Sequence, residues 1–191
     1  TESPHRNAAQ KRMKKMQRRE FSTALLGAGA LTLGLPAAAQ GGFQEGTHYV
    51  RLSQPLPVTA AAGKVEVIEF FWYGCPHCNA FEPTLEAWVK KLPADVAFWR
   101  VPAAFNAPFE GYAKLYYALE AMGLMETMHK RVFAAIHVQR QRLDKDADLA
   151  ALVQSAGGDG AKFVDAYKSF GVATKVRQGK QLAEAYKIDG V

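Results

Sequence analysis

Only two cysteines occur in the 191 residues, Cys75 and Cys78, and Pro76 and His77 are all that separate them. That scarcity excludes several roles. A zinc site needs about four ligands, and no further cysteine exists to complete one. Histidine is also sparse: apart from His77, the residues after the leader hold only His48, His129 and His137, scattered without metal-ligand spacing. Covalent haem attachment needs a histidine directly after the second cysteine, and Asn79 stands there instead. An inert structural disulfide is a poor use of the pair, because closing so short a loop removes little entropy from the unfolded chain.

Long apolar runs are missing too. The longest, "ALLGAGALTLGL", is about a dozen residues, short of a membrane-spanning helix. It follows the basic stretch "KRMKKMQRREF" and precedes "PAAAQ", an order that predicts a secretory signal cut near Ala39. Arg18 and Arg19 also fit a twin-arginine signal, so the Sec and twin-arginine routes both stay open. Seven of the 24 Lys and Arg lie in residues 1–39, against two of the 18 Asp and Glu. The net charge of +6 therefore falls to +1 once the leader is removed, and nucleic-acid binding loses its main support. Such export leads to an oxidising compartment, where a cysteine pair can cycle.

Residues 40–191 suit one domain with an inserted subdomain. "GTHYVRL", "KVEVIEFFWY" and "DVAFWRV" read as strands, rich in β-branched and aromatic residues. Apolar residues on both faces of the second predict a central, doubly covered strand. Between the second and third, "AFEPTLEAWVKKL" predicts a helix with Phe81, Leu85, Trp88 and Leu92 inward and Pro83 as a kink. Strand, helix and strand make a βαβ unit. From Pro108 the period stays helical. Phe109, Tyr112, Tyr116 and Leu119 share one face, Leu124, Met128, Val132 and Ile136 the next. Asp148 or a nearby Asp is expected to cap a third helix, Phe163, Tyr167 and Phe170 to line a fourth ended by Gly171, and the last to run to Gly190. The fold class is α/β, with an expected division into a leader (1–39), a layer of 40–107 plus 173–191, and a helical insert (108–172). The aromatic stripes are expected to be core. No repeat or low-complexity linker interrupts the chain.

Chemistry concentrates where the second strand meets its helix. Pro76 fits the first helical position, where its missing N–H costs nothing. Cys75 is then the N-cap, facing unpaired N–H groups and the positive end of the helix dipole, which favour thiolate over thiol. His77 adds to this when protonated or donating. A stabilised thiolate makes the reduced pair favourable and the disulfide oxidising. Cys78, one turn inward, is expected to be the less exposed sulfur and to resolve the mixed disulfide.

"EFFWYGCPHC" followed by an amphipathic helix resembles the thioredoxin superfamily. The Cys-Pro-His-Cys choice, the leader and the helical insert resemble its DsbA-type periplasmic thiol:disulfide oxidoreductases, over nearly all of residues 43–191. The resemblance implies a thioredoxin-like fold, catalysis by Cys75, Cys78, His77 and Pro76, and no cofactor. It also implies that Glu69, six residues before Cys75, is the family's buried acid, able to exchange a proton with Cys78 through water; a strand glutamate reaching solvent is the alternative. Arg100 is its implied basic partner. Val191 matches the residue before the family's cis-proline and is an implied substrate-binding residue. The family continues from there with further strands, so this chain is expected to lack its C-terminal strands and the natural protein to run on through a proline and an antiparallel hairpin. Implied partners are newly exported cysteine-containing polypeptides and a DsbB-like, quinone-linked membrane oxidase, with the protein a monomer in the periplasm. A disulfide isomerase or reductase with the same motif, and a non-catalytic binding module on this fold, remain the rival readings.

Overall fold

The computed structural model describes residues 42–191; the expected leader lies outside them. Residues 42–51 belong to a unit of their own. Its described part is a tight turn in which Gly46, at φ +83°, lets its N–H donate to the Tyr49 carbonyl at 2.7 Å. The strand expected over "GTHYVRL" is therefore absent: a single bridge, Glu45 to Tyr49, is all that forms. Positive φ at Gly46 folds the segment back on itself before an extended ladder can start.

The second unit begins at Leu52. Its sheet, among the described residues, has two parallel strands, β1 (Val65–Phe71) and β2 (Val96–Pro102), with Val65 opposite Val96 and Phe71 opposite Pro102. Helix α1 (Pro76–Val89) makes the crossover. Four helices follow β2: α2 (Ala107–Ala121), α3 (Met125–His137), α4 (Asp146–Ser155) and α5 (Gly160–Tyr167). The long α6 (Phe170–Ala185) then returns to pack on α2 and β2.

Helix α1 presents a different face from the expected one. Leu85 is buried, but Phe81 is 52% and Trp88 44% exposed. The inward positions are Cys78, Glu82 and Leu85, spaced as one helical face. A carboxylate can hold a core position there because Arg100 reaches it from β2, so the apolar period was offset by a paired charge. Pro83 lies inside the helix and leaves the Asn79 carbonyl without its usual N–H partner.

The core is aromatic and aliphatic. Phe71, Tyr73, Leu115, Leu119, Met128, Val132, Val153 and Phe163 are among its largest fully buried side chains. The α2 and α3 stripes mostly face it, with Tyr116, Leu119, Met128 and Val132 buried. Local signals place the helix ends. Asn106, Asp159 and Ser169 cap α2, α5 and α6 with side-chain oxygens. No aspartate caps α4: Lys145 is its N-cap, and Asp146 and Asp148 lie in the first turn, where they complement the dipole instead. Ser169 also overrides the expected stop at Gly171, so Phe170 opens α6 and is 80% exposed rather than packed. Helix α6 closes before Gly190, with Lys187 at φ +56° and Ile188 N–H on the Ala183 carbonyl at 2.9 Å.

Candidate redox site

Cys75 is the N-cap of α1 and Pro76 its first residue. The extended backbone of Cys75 (φ −80°, ψ 119°) turns its side chain back over the first helical turn, where Sγ accepts the Cys78 N–H at 3.4 Å. The same sulfur donates to the Val191 carbonyl at 3.3 Å. That second contact needs the S–H proton, so it belongs to the thiol; a thiolate keeps only the N–H donor. Both cysteines are free thiols here.

Exposure of the pair is the reverse of the expected one. Cys75 is only 4% exposed and Cys78 is half-buried. The Val191 main chain lies against the Cys75 sulfur, while the Cys78 side of the first turn stays partly open. Pro76 and His77 are both exposed on that turn. Burial pushes the Cys78 thiol up from 9.0 to about 11 against an opposing hydrogen bond from the Trp72 backbone, with Cys75 and then Glu69 adding smaller increments to the rise. Cys78 therefore holds its proton at neutral pH.

Beneath the pair runs a buried chain of charges. Glu69 and Arg100 are register partners on β1 and β2, and Arg100 Nε donates to Glu69 Oε2 at 2.7 Å. Arg100 Nη2 donates to Glu82 Oε1, also at 2.7 Å, so one guanidinium bridges the sheet and α1. Glu69 faces away from solvent, and burial raises its carboxyl above the usual range, with Arg100 opposing and Glu82 adding to the rise. Glu82 is 5% exposed, and its Oε2 has no hydrogen-bond partner. His129 Nε2 comes within 3.3 Å of Glu82 Oε1, close enough for an ion pair but without the alignment of a hydrogen bond. Its other nitrogen, Nδ1, is 2.8 Å from the Tyr73 hydroxyl.

The structure thus brings together Cys75, Cys78, Glu69, Arg100 and Val191. Sequence reasoning overlooked Glu82, Tyr73, His129 and His137. Glu82 had a legible trace: it stands four residues after Cys78 and three before Leu85, on the inward face. The histidines had none, since only the packing of α3 brings them near β1. Among the described residues no cluster of His, Cys, Asp and Glu has the make-up of a metal site, and no helix is long and apolar enough to cross a membrane.

Comparison with known proteins agrees with this geometry. A family model described as "DSBA-like thioredoxin domain" matches residues 86–191, beginning just after the cysteine motif. The motif itself falls within the span shared with curated relatives, which reaches 171 of the 191 residues. The thiol:disulfide interchange protein DsbA of Burkholderia cepacia is 47% identical over 171 residues, covering 90% of this chain and 80% of that protein. DsbA of Pseudomonas aeruginosa is 42% identical over 169 residues, with 88% and 79% covered. The crystal structure of Pseudomonas aeruginosa DsbA superposes with a TM-score of 0.70 at 44% identity, over 74% of this chain and 73% of that one. The two-stranded α/β layer with its helical segment is accordingly a thioredoxin-like fold, and the chain belongs to the DsbA family of thiol:disulfide interchange oxidoreductases.

Proposed function

We propose that the protein is an exported disulfide donor whose Cys75–Cys78 disulfide passes to newly exported, cysteine-containing polypeptides in the periplasm. The observation that carries this is the Cys75 sulfur at the α1 N-terminus, accepting the Cys78 N–H. In the first step a substrate thiolate attacks Cys75 Sγ. The S–S bond breaks, a mixed disulfide forms on Cys75, and Cys78 leaves with the electron pair. Cys78 takes up a proton at once, consistent with a thiol held up to about 11. A second substrate thiolate then attacks the substrate sulfur of the mixed disulfide and expels Cys75, whose charge rests on the helix terminus. The substrate dithiol is oxidised by two electrons and the enzyme pair is reduced.

Glu69, with its raised carboxyl, supports a role as proton exchanger for Cys78 through water. Pro76 pre-sets the first helical turn, and His77 lies exposed on that turn. Val191 offers main chain beside Cys75, which suits pairing with an extended substrate. Residues 40–107 plus 173–191 serve as the thioredoxin-like part and 108–172 as the helical insert. A DsbB-like, quinone-linked membrane oxidase re-oxidises the pair, and the protein acts as a monomer.

The test is transfer from the oxidised protein to a reduced, unfolded polypeptide with two cysteines. Stoichiometric oxidation is expected, with none from Cys75→Ser and accumulation of mixed disulfide with Cys78→Ser acting on a pre-formed substrate disulfide. A protein that rearranges wrong disulfides but does not create new ones is an isomerase instead. One that retains its in vivo role with both cysteines replaced is a binding module.

A further inference from the structure

Two histidines of α3 take no part in the exchange just described, yet both close on Tyr73, two residues before Cys75. Tyr73 is fully buried. His137 Nε2 lies 2.7 Å from its backbone carbonyl, and His129 Nδ1 lies 2.8 Å from its hydroxyl. A carbonyl only accepts, so His137 Nε2 carries the proton. His129 Nε2 lies 3.3 Å from Glu82 Oε1, out of line for a hydrogen bond. The Glu82 carboxylate beside His129 Nε2 favours the ring proton on that nitrogen, which leaves Nδ1 to accept from the Tyr73 O–H, kept protonated by burial. One residue is thereby held at both its main chain and its side chain, by one helix.

What lies between Tyr73 and Cys75 makes this matter. Gly74 is the only link, and glycine brings no side chain whose packing could fix the path of the chain. The Cys75 N–H donates to the Trp72 carbonyl at 3.0 Å, which sets the turn but not where the turn sits relative to α3. We propose that His129 and His137 are positioning residues that clamp Tyr73 and so hold the Cys75 sulfur in the direction from which a substrate thiol attacks it. The proposal rests on Cys75 being the attacked sulfur. It assigns to α3 a part in aligning the reactive atom, through Tyr73 and without touching the substrate.

The oxidised protein, an excess of a reduced peptide with two cysteines, and single-turnover transfer kinetics test this, the limiting rate and the half-saturating peptide concentration being read as kcat and KM. His137→Leu is expected to lower kcat about tenfold with KM within about twofold, as loss of orientation does. His137→Gln, whose amide can donate to the same carbonyl, restores kcat to within about twofold of the parent. His129→Phe keeps the buried aromatic volume and lowers kcat like His137→Leu. Unchanged kcat in variants that melt like the parent overturns the clamp. Imidazole nitrogen resonances of the parent decide if a variant does not fold. Tyr73→Phe should shift His129 Nδ1 and leave His137 unmoved, since the carbonyl survives; no shift at His129 overturns the proposal. A parent protein that transfers no disulfide sinks the proposed function, whereas the clamp is still judged by those resonances.

Discussion

Arg100 sits directly across the two-stranded sheet from Glu69 and reaches past it to Glu82, so a single cation holds two buried carboxylates under the cysteine pair. Arg100→Met removes the cation and leaves both acids without a counter-charge. Breaking a buried ion pair from one side costs roughly 3–5 kcal/mol. Urea melts at neutral pH should show a loss of that order, and a loss below about 1 kcal/mol would mean that the acids are solvated in a way the structure does not show.

The raised Glu69 carboxyl makes stability depend on pH in a definite direction. The folded state binds this proton at higher pH than the unfolded chain, whose value is near 4.5. Stability from protonated Glu69 is thus complete at low pH and declines as pH rises through the window above 4.5. Glu69→Gln removes that decline. Melts of both proteins across this range should converge at the acid end once the change in the Arg100 bond is subtracted; parallel curves would refute the raised carboxyl.

Cys78 carries the same logic to alkaline pH. Its thiol is raised from 9.0 to about 11, so the stability it contributes is present below 9.0 and is lost as pH rises toward 11. In the reduced protein, alkylation of Cys78 by iodoacetamide should stay slow through pH 9 and accelerate only as pH approaches 11. Peptide mapping by mass spectrometry reports the site. Fast labelling of Cys78 near pH 8 would contradict both its burial and its proposed ready uptake of a proton.

Gly74 and Trp72 are a matched pair. A Cβ on Gly74 would run into Trp72 Cζ2, and the indole cannot swing aside freely because it stacks on Phe109 at 4.0 Å. Gly74→Ala is expected to destabilise by about 1–3 kcal/mol, the usual range for overpacking. Trp72→Leu should relieve most of that penalty. A double-mutant cycle with no coupling between the two positions would show that the turn relaxes by another route.

Gly179 reverses the usual rule for helices. Glycine to alanine in a helix interior ordinarily gains about 0.5–1 kcal/mol. Here the added Cβ meets the Tyr117 hydroxyl at 2.9 Å and Val101 Cγ1 at 3.3 Å, because α6 packs close over α2 and β2. Gly179→Ala should lower the melting temperature, and adding Tyr117→Phe should turn the loss into a gain. Thermal melts of the parent, Gly179→Ala and the double variant check the change of sign.

The reactive end of this protein was legible in residues 65–78. An apolar run before Cys75, Pro76 behind it and Cys78 one turn on are local facts. Local geometry is enough to make a strand, an N-cap and a helix start, which is why β1, α1, β2 and the cysteine turn lie where their residues imply. The caps were less legible: the aspartate expected at α4 gave way to Lys145, and Ser169 outweighed the expected stop at Gly171 in a competition that only the folded chain resolved. Tertiary structure alone decided the rest. The inward face of α1 shifted off Phe81 and Trp88 because Arg100, 18 residues further on, could neutralise Glu82 in the core. The Cys75 sulfur became the more covered of the two through Val191, 116 residues away in sequence. His129 and His137 became neighbours of Tyr73 only when α3 packed beside β1. Periodicity registers the burial of apolar surface, which each residue carries by itself. A buried charge or hydrogen bond is tolerated only with its partner, and the partner's position is a property of the whole fold.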